Sequence, residues 1–88
     1  MLTISDTALA RLHELATEVC APDEALRLAL DDRGEIDFDV GTPRMADQVI
    51  EHNGRQVLLV DNSTAGILEE ATLDVDTSGA EPKFVIQR

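Results

Sequence analysis

The spacing of hydrophobic positions changes several times along the chain, and each change marks an element. Thr3, Ser5 and Asp6 carry short oxygen side chains suited to the free amides of a helix start. Leu9, Leu12, Ala16 and Val19, with Leu15 beside them, then recur at helical spacing. This pattern predicts an amphipathic helix of about four turns. Ala21-Pro22-Asp23 ends it, because the residue before a proline is pushed out of the helical region and proline cannot continue the ladder. After Pro22 the period is two. Leu26, Leu28 and Leu30 alternate with Arg27 and Ala29, and Ile36, Phe38 and Val40 alternate with Glu35, Asp37 and Asp39. The intervening Asp31-Asp32-Arg33-Gly34 is a tight acidic turn between two strands.

Gln48-Val49-Ile50 leads to Asn53-Gly54, a dipeptide that accepts the positive φ angles of a type I′ turn, and Arg55 to Val60 returns from it as the second strand of a hairpin. Val57 to Val60 is apolar on both faces, which predicts a strand in the middle of the fold with the first helix over one side. Asp61-Asn62-Ser63 supplies a cap for a short helix over 64–70 carrying Ile67 and Leu68. Two further strands, Leu73 to Asp76 and Lys83 to Ile86, flank the Ser78-Gly79-Ala80 turn. No repeat or linker divides the sequence. The reading is one α+β domain over 1–88, with two helices packed on mixed, mainly antiparallel strands.

Composition narrows the function classes. With 18 Asp plus Glu against 7 Lys plus Arg the chain carries a formal charge of −11, which repels phosphate backbones, and two aromatic residues offer no platform for stacked bases. Nucleic-acid binding is therefore not expected. No apolar run approaches the roughly 20 residues needed to span a bilayer, and no secretory leader is evident, so no membrane partner and a cytoplasmic location are expected. The single cysteine, Cys20, forms no internal disulfide.

The order of elements, and the residues that carry it, resembles the HesB/IscA-like family, the A-type carriers of iron-sulfur cluster biogenesis. Leu2-Thr3-Ile4-Ser5-Asp6 with Ala8, Leu12 and Leu15 is similar to the family's first helix, and Leu26-Arg27-Leu28 to its first long strand. Asn53-Gly54 followed by Arg55 to Asp61 resembles its central hairpin, in which a glycine turn precedes an apolar strand ending in Asp. Ser63, Leu68 and Thr72 to Val75 match the short helix and the strand after it, and Lys83 to Ile86 stands where the family has a Gly-Phe-x-Phe strand. The resemblance implies a HesB-like domain. It also implies thiolate ligands, one cysteine after a glycine in the loop following the first strand and two more in a C-terminal Cys-x-Cys. Here Glu35 follows Gly34 at the first of these positions, and the sequence reaches Arg88 about where the family's last strand ends. Carboxylate oxygen is a hard ligand and a poor replacement for the thiolates that select iron-sulfur clusters.

The expected function is accordingly a relative of the A-type carriers without the family cysteines. It is read as a non-catalytic binding or accessory protein that carries no cluster and needs no cofactor. The expected partner is another protein, with iron-sulfur assembly components the first class to consider, and an edge strand gives a route to a homo-oligomer. The alternatives are a carboxylate-based iron or divalent-metal binder using Glu35, Asp37 and Asp39, or an acidic interaction module for a basic protein surface. Against the metal alternative, period-two geometry places those three carboxylates on one solvated face, with Ile36, Phe38 and Val40 toward the core. Cys20 reads as a small apolar residue at a helix end. His13 and His52 are candidate metal ligands or general bases, but no nucleophile or orienting group accompanies them in the sequence, so no catalytic residue is assigned. Asn62-Ser63-Thr64 matches a glycosylation acceptor and reads better as part of a helix cap.

Overall fold

The computed structural model describes residues 2–33 and 35–87. In chain order the elements are β1 (Thr3–Ile4), α1 (Asp6–Val19), β2 (Ala25–Leu30), β3 (Ile36–Gly41), β4 (Gln48–His52), β5 (Arg55–Val60), α2 (Asn62–Ile67), β6 (Thr72–Asp76) and β7 (Lys83–Gln87). They form a four-stranded sheet of order β3-β2-β5-β4 and a three-stranded sheet of order β1-β6-β7. The pairs β2–β3, β4–β5 and β6–β7 are antiparallel, while β1–β6 and β2–β5 are parallel. The architecture is thus α+β with mixed, mainly antiparallel strands, as the alternation of periods predicted. Gly34, in the predicted acidic turn, lies outside the described residues.

Two elements depart from the sequence reading at the N-terminal end and around α2. Thr3 belongs to β1, whose amides at Thr3 and Ser5 donate to the carbonyls of Ala71 and Leu73. A two-residue parallel strand has no periodicity of its own to betray it. Ser5 is the helix cap, its Oγ accepting from the Ala8 amide at 3.1 Å and donating to Asp74 Oδ1 at 2.6 Å. One hydroxyl therefore both starts α1 and ties it to β6, and the bond from Ser5 holds the Asp74 carboxyl below its ordinary value. The second helix starts earlier and ends sooner than 64–70. Asp61 is its cap, accepting from the Thr64 amide at 2.7 Å, so that Asn62 and Ser63 lie within the helix. It ends at Ile67, with Leu68 as the C-cap.

The side of α1 that packs inward is set by Ala8, Leu12 and Ala16, spaced four apart, with Leu9 and Leu15 half-buried at its borders. Val19, expected in the stripe, is the last residue of α1 and is 54% exposed. Val40, at the far end of β3, is likewise 45% exposed rather than in the core, and Ile67 of α2 is exposed. The α1 residues meet Leu26 and Leu28 of β2, Val57, Leu58 and Val60 of β5, Ala65 and Leu68 around α2, and Leu73 of β6 in one apolar cluster. Phe38 of β3 and Phe84 of β7 close the gap between the sheets edge to face, with ring centroids 5.0 Å apart.

β5 is the strand between β2 and β4, and its residues from Val57 to Val60 are all fully buried. Its turn is the predicted one, with Asn53 at φ 54° and Gly54 at φ 78°. The register against β4 then slips. Ile50 faces Leu58 and Glu51 faces Gln56, which leaves Val57 as the extra residue of a bulge. The bulge lets Val57, Leu58 and Val60 all join the main cluster, while Leu59 is buried outside it.

Deleting part of this core carries a direct cost. Leu58→Ala and Leu12→Ala should each lower unfolding free energy by about 2–5 kcal/mol, whereas Ile67→Ala, at an exposed position, should change it by less than about 0.5 kcal/mol. Urea denaturation of the three variants checks the ranking.

Candidate functional site

The segment that the family resemblance marks out lies where β2 hands the chain to β3. Asp31 organises it. Its Oδ1 accepts from the amides of Arg33 and Glu35 at 2.8 and 2.9 Å, and its own amide donates to the Glu35 carbonyl at 2.9 Å. The backbone of residue 35 is therefore fixed while its side chain is exposed. Along β3, Asp37 and Asp39 are exposed and Ile36 and Phe38 are half-buried, as alternation requires. Asp37 spends Oδ1 on the amide of Phe38, at 2.9 Å. A carboxylate so used covers a backbone donor of an edge strand.

Beside Glu35 a groove of about 510 Å³ opens between β3 and β7, with Phe38, Phe84 and Ile86 among its apolar walls and Glu35 and Lys83 among its charged members. Cys20 is placed elsewhere, as the C-cap of α1 packed against the core. Burial pushes its thiol up, with Arg55 opposing and Glu24 adding to the shift, so a thiolate is disfavoured there. Among the described residues no three His, Cys, Asp or Glu side chains converge as a metal-binding group. This donor set does not fit a cluster held by thiolates, since residue 35 offers exposed carboxylate oxygen and the thiol is embedded at a helix end.

Two arginines that the sequence pattern did not single out hold the surrounding frame. Arg27, on the outer face of β2 in register with Leu59, donates through Nη1 and Nη2 to both oxygens of Asp47 at 2.9 and 2.7 Å and through Nη2 to the Thr42 carbonyl at 3.2 Å. The two side chains are only 13% and 3% exposed. Asp47 also accepts from the Arg44 amide at 2.7 Å. The bond from Arg27 is the main reason the Asp47 carboxyl is held down to about 2. This fork draws the β3–β4 connection onto the outer face of the sheet, where Ala25 and Leu59 are fully buried. Arg55, in turn, donates from Nη2 to the carbonyls of Ala16, Cys20 and Ala21 at 3.0, 3.0 and 3.1 Å. The last turn of α1 has no basic residue of its own, and β5 supplies the charge instead.

The structure also brings together two residues that the sequence leaves far apart. His13 of α1 and His52 of β4 are both half-buried, with ring centroids 5.8 Å apart and an interplanar angle of 73°. Only the packing of α1 on the sheet makes them neighbours, and no local spacing could reveal it.

Three solved structures share this arrangement. Escherichia coli SufA, described as involved in the biosynthesis of iron-sulfur clusters, superposes with a TM-score of 0.77 at 21% identity, covering 99% of this chain and 84% of that one. The chain has the HesB/IscA-like fold. IscA with a [2Fe-2S] cluster gives a TM-score of 0.64 at 17% identity over 100% of this chain and 85% of the other. A protein from Aquifex aeolicus gives 0.66 at 20% identity over 99% and 90%. No protein-family model matches the sequence, and no curated protein gives a significant match. Among the described residues no helix is long and apolar enough to cross a membrane.

The Arg27–Asp47 fork sets a pH dependence with a definite sign. An aspartate with a folded pKa of about 2, against about 3.9 when unfolded, contributes stability above about pH 4 that is lost as pH falls toward 2. Asp47→Asn should cost about 1–3 kcal/mol at pH 7, by leaving Arg27 without its anion, and the gap between variant and wild type should close between about pH 4 and pH 2. Urea midpoints measured across that range read both effects.

Proposed function

We propose that the protein is a non-catalytic binding or accessory protein of iron-sulfur cluster assembly, one that keeps the carrier fold but holds no cluster. The fold likeness to SufA and IscA supports the setting. The observation that carries the cluster-free reading is the placement of Glu35. The resemblance aligns it with the carriers' first cysteine, and it presents an exposed carboxylate beside the β3–β7 groove while Cys20 is packed at the end of α1. Hard oxygen donors do not replace thiolate sulfur for such a cargo.

Binding rather than turnover suits the same surface. The groove beside the Phe38–Phe84 contact has apolar and charged walls, and the acidic face of β3 adjoins it, which favours a protein partner of complementary charge. The rival reading, with Glu35, Asp37 and Asp39 holding iron, has less support. Asp37 already satisfies the Phe38 amide, and among the described residues no three His, Cys, Asp or Glu side chains converge as a metal-binding group.

Anaerobic purification followed by reconstitution with iron and sulfide tests the proposal through visible absorbance and metal per chain. The expected result is no stoichiometric chromophore, with Cys20→Ala indistinguishable from wild type. Colour that depends on Cys20 would restore a carrier role. Colourless iron that is lost from a Glu35→Ala, Asp37→Ala double variant would move the assignment to the carboxylates.

A further inference from the structure

We propose that His13 and His52 form an exchangeable site for a transition-metal ion of the zinc, copper(II) or nickel class, bound by two imidazole nitrogens and completed by solvent. Neutral imidazole is a ligand that suits these ions. A zinc ion about 2.0–2.1 Å from a nitrogen of each ring, in roughly tetrahedral geometry, sets the ring centroids about 5–6 Å apart. The two rings stand 5.8 Å apart and are inclined by 73° rather than stacked.

The elements that carry the rings fix this separation. His13 lies next to Leu12, a fully buried residue of α1, and His52 lies two residues after Ile50, which packs against the core. Both rings are half-buried, so they are anchored and still reachable from solvent. Arg55 is in register with His52, and its Nη2 donates to the carbonyls of Ala16, Cys20 and Ala21 at the end of α1. The chain's charge of −11 raises the local concentration of any cation. Because no third His, Cys, Asp or Glu converges among the described residues, at least two coordination positions fall to water, and the ion exchanges rather than locking in place.

The test is titration of the purified protein with zinc or copper(II) ions alone, followed by calorimetry and by the imidazole resonances of the two histidines. One ion per chain is expected, with perturbation confined to His13 and His52. His13→Ala and His52→Ala should each weaken binding at least ~tenfold, and the double variant should be little worse than either, while Glu35→Ala and Cys20→Ala should bind as wild type. An ion held between α1 and β4 should also raise the melting temperature of wild type and of neither histidine variant. His13→Gln and His52→Gln, checked for native circular dichroism, guard against loss of fold. Unchanged affinity in folded histidine variants, or binding that follows Glu35, overturns the proposal.

Discussion

The fold depends on a single requirement, that β5 be dry on both faces. A strand whose four residues from Val57 to Val60 are all fully buried needs a cover above and below, and in so short a chain two different covers are used. On one side α1 packs on β5, and Leu12, Ala16, Ala65 and Leu68 belong to the same apolar cluster as Val57, Leu58 and Val60. On the other, Arg27 stands in register with Leu59, and its fork with Asp47 ties the β3–β4 connection to that face. An ion pair is an expensive fastener when buried. It is tolerable here because four hydrogen bonds compensate the desolvation: two within the pair, one to the Thr42 carbonyl and one from the Arg44 amide.

The same scarcity explains where the positive charges are spent. Only 7 residues of the chain are Lys or Arg, and two of the arginines are committed to structure, one holding the outer face and the other closing the C-terminus of α1. Several acidic side chains are committed likewise. Asp31, Asp37, Asp61, Asp74 and Asp76 each accept from a backbone amide at a turn, an edge or a helix start. A high acidic count is thus partly a count of local caps and of the Arg27–Asp47 pair, while Glu35 and Asp39 are exposed.

What could be seen in the sequence was whatever depends on neighbours along the chain. The Asn53-Gly54 turn, the doubly apolar β5 and the alternating β3 follow from local stereochemistry and period, and they stand where the pattern put them. What could not be seen depends on meetings across the fold. β1 exists only because β6 offers it a ladder, and the Val57 bulge is visible only against β4. Arg27 and Asp47 look like two more charges among 25 until strand pairing brings them together. The same is true of His13 and His52. The error at Val19 and Val40 has one cause: periodicity tells which way a side chain points, not whether anything stands opposite it, and both residues lie at the ends of their elements.

Residue 35 shows how little the turn after β2 asks of a side chain. Everything the turn needs from this position is backbone, since Asp31 takes the amide through its carboxylate and the carbonyl through its own amide. The side chain projects into solvent and stabilises nothing that the described structure records. Exchange of a thiol for a carboxylate at such a place costs the fold almost nothing, because no cavity is made and no buried donor is left unpaired. For a soft metal centre the same exchange removes the property that matters, the sulfur donor. Likeness of fold therefore carries little information about what is bound at position 35, and the donor atoms themselves have to carry the argument.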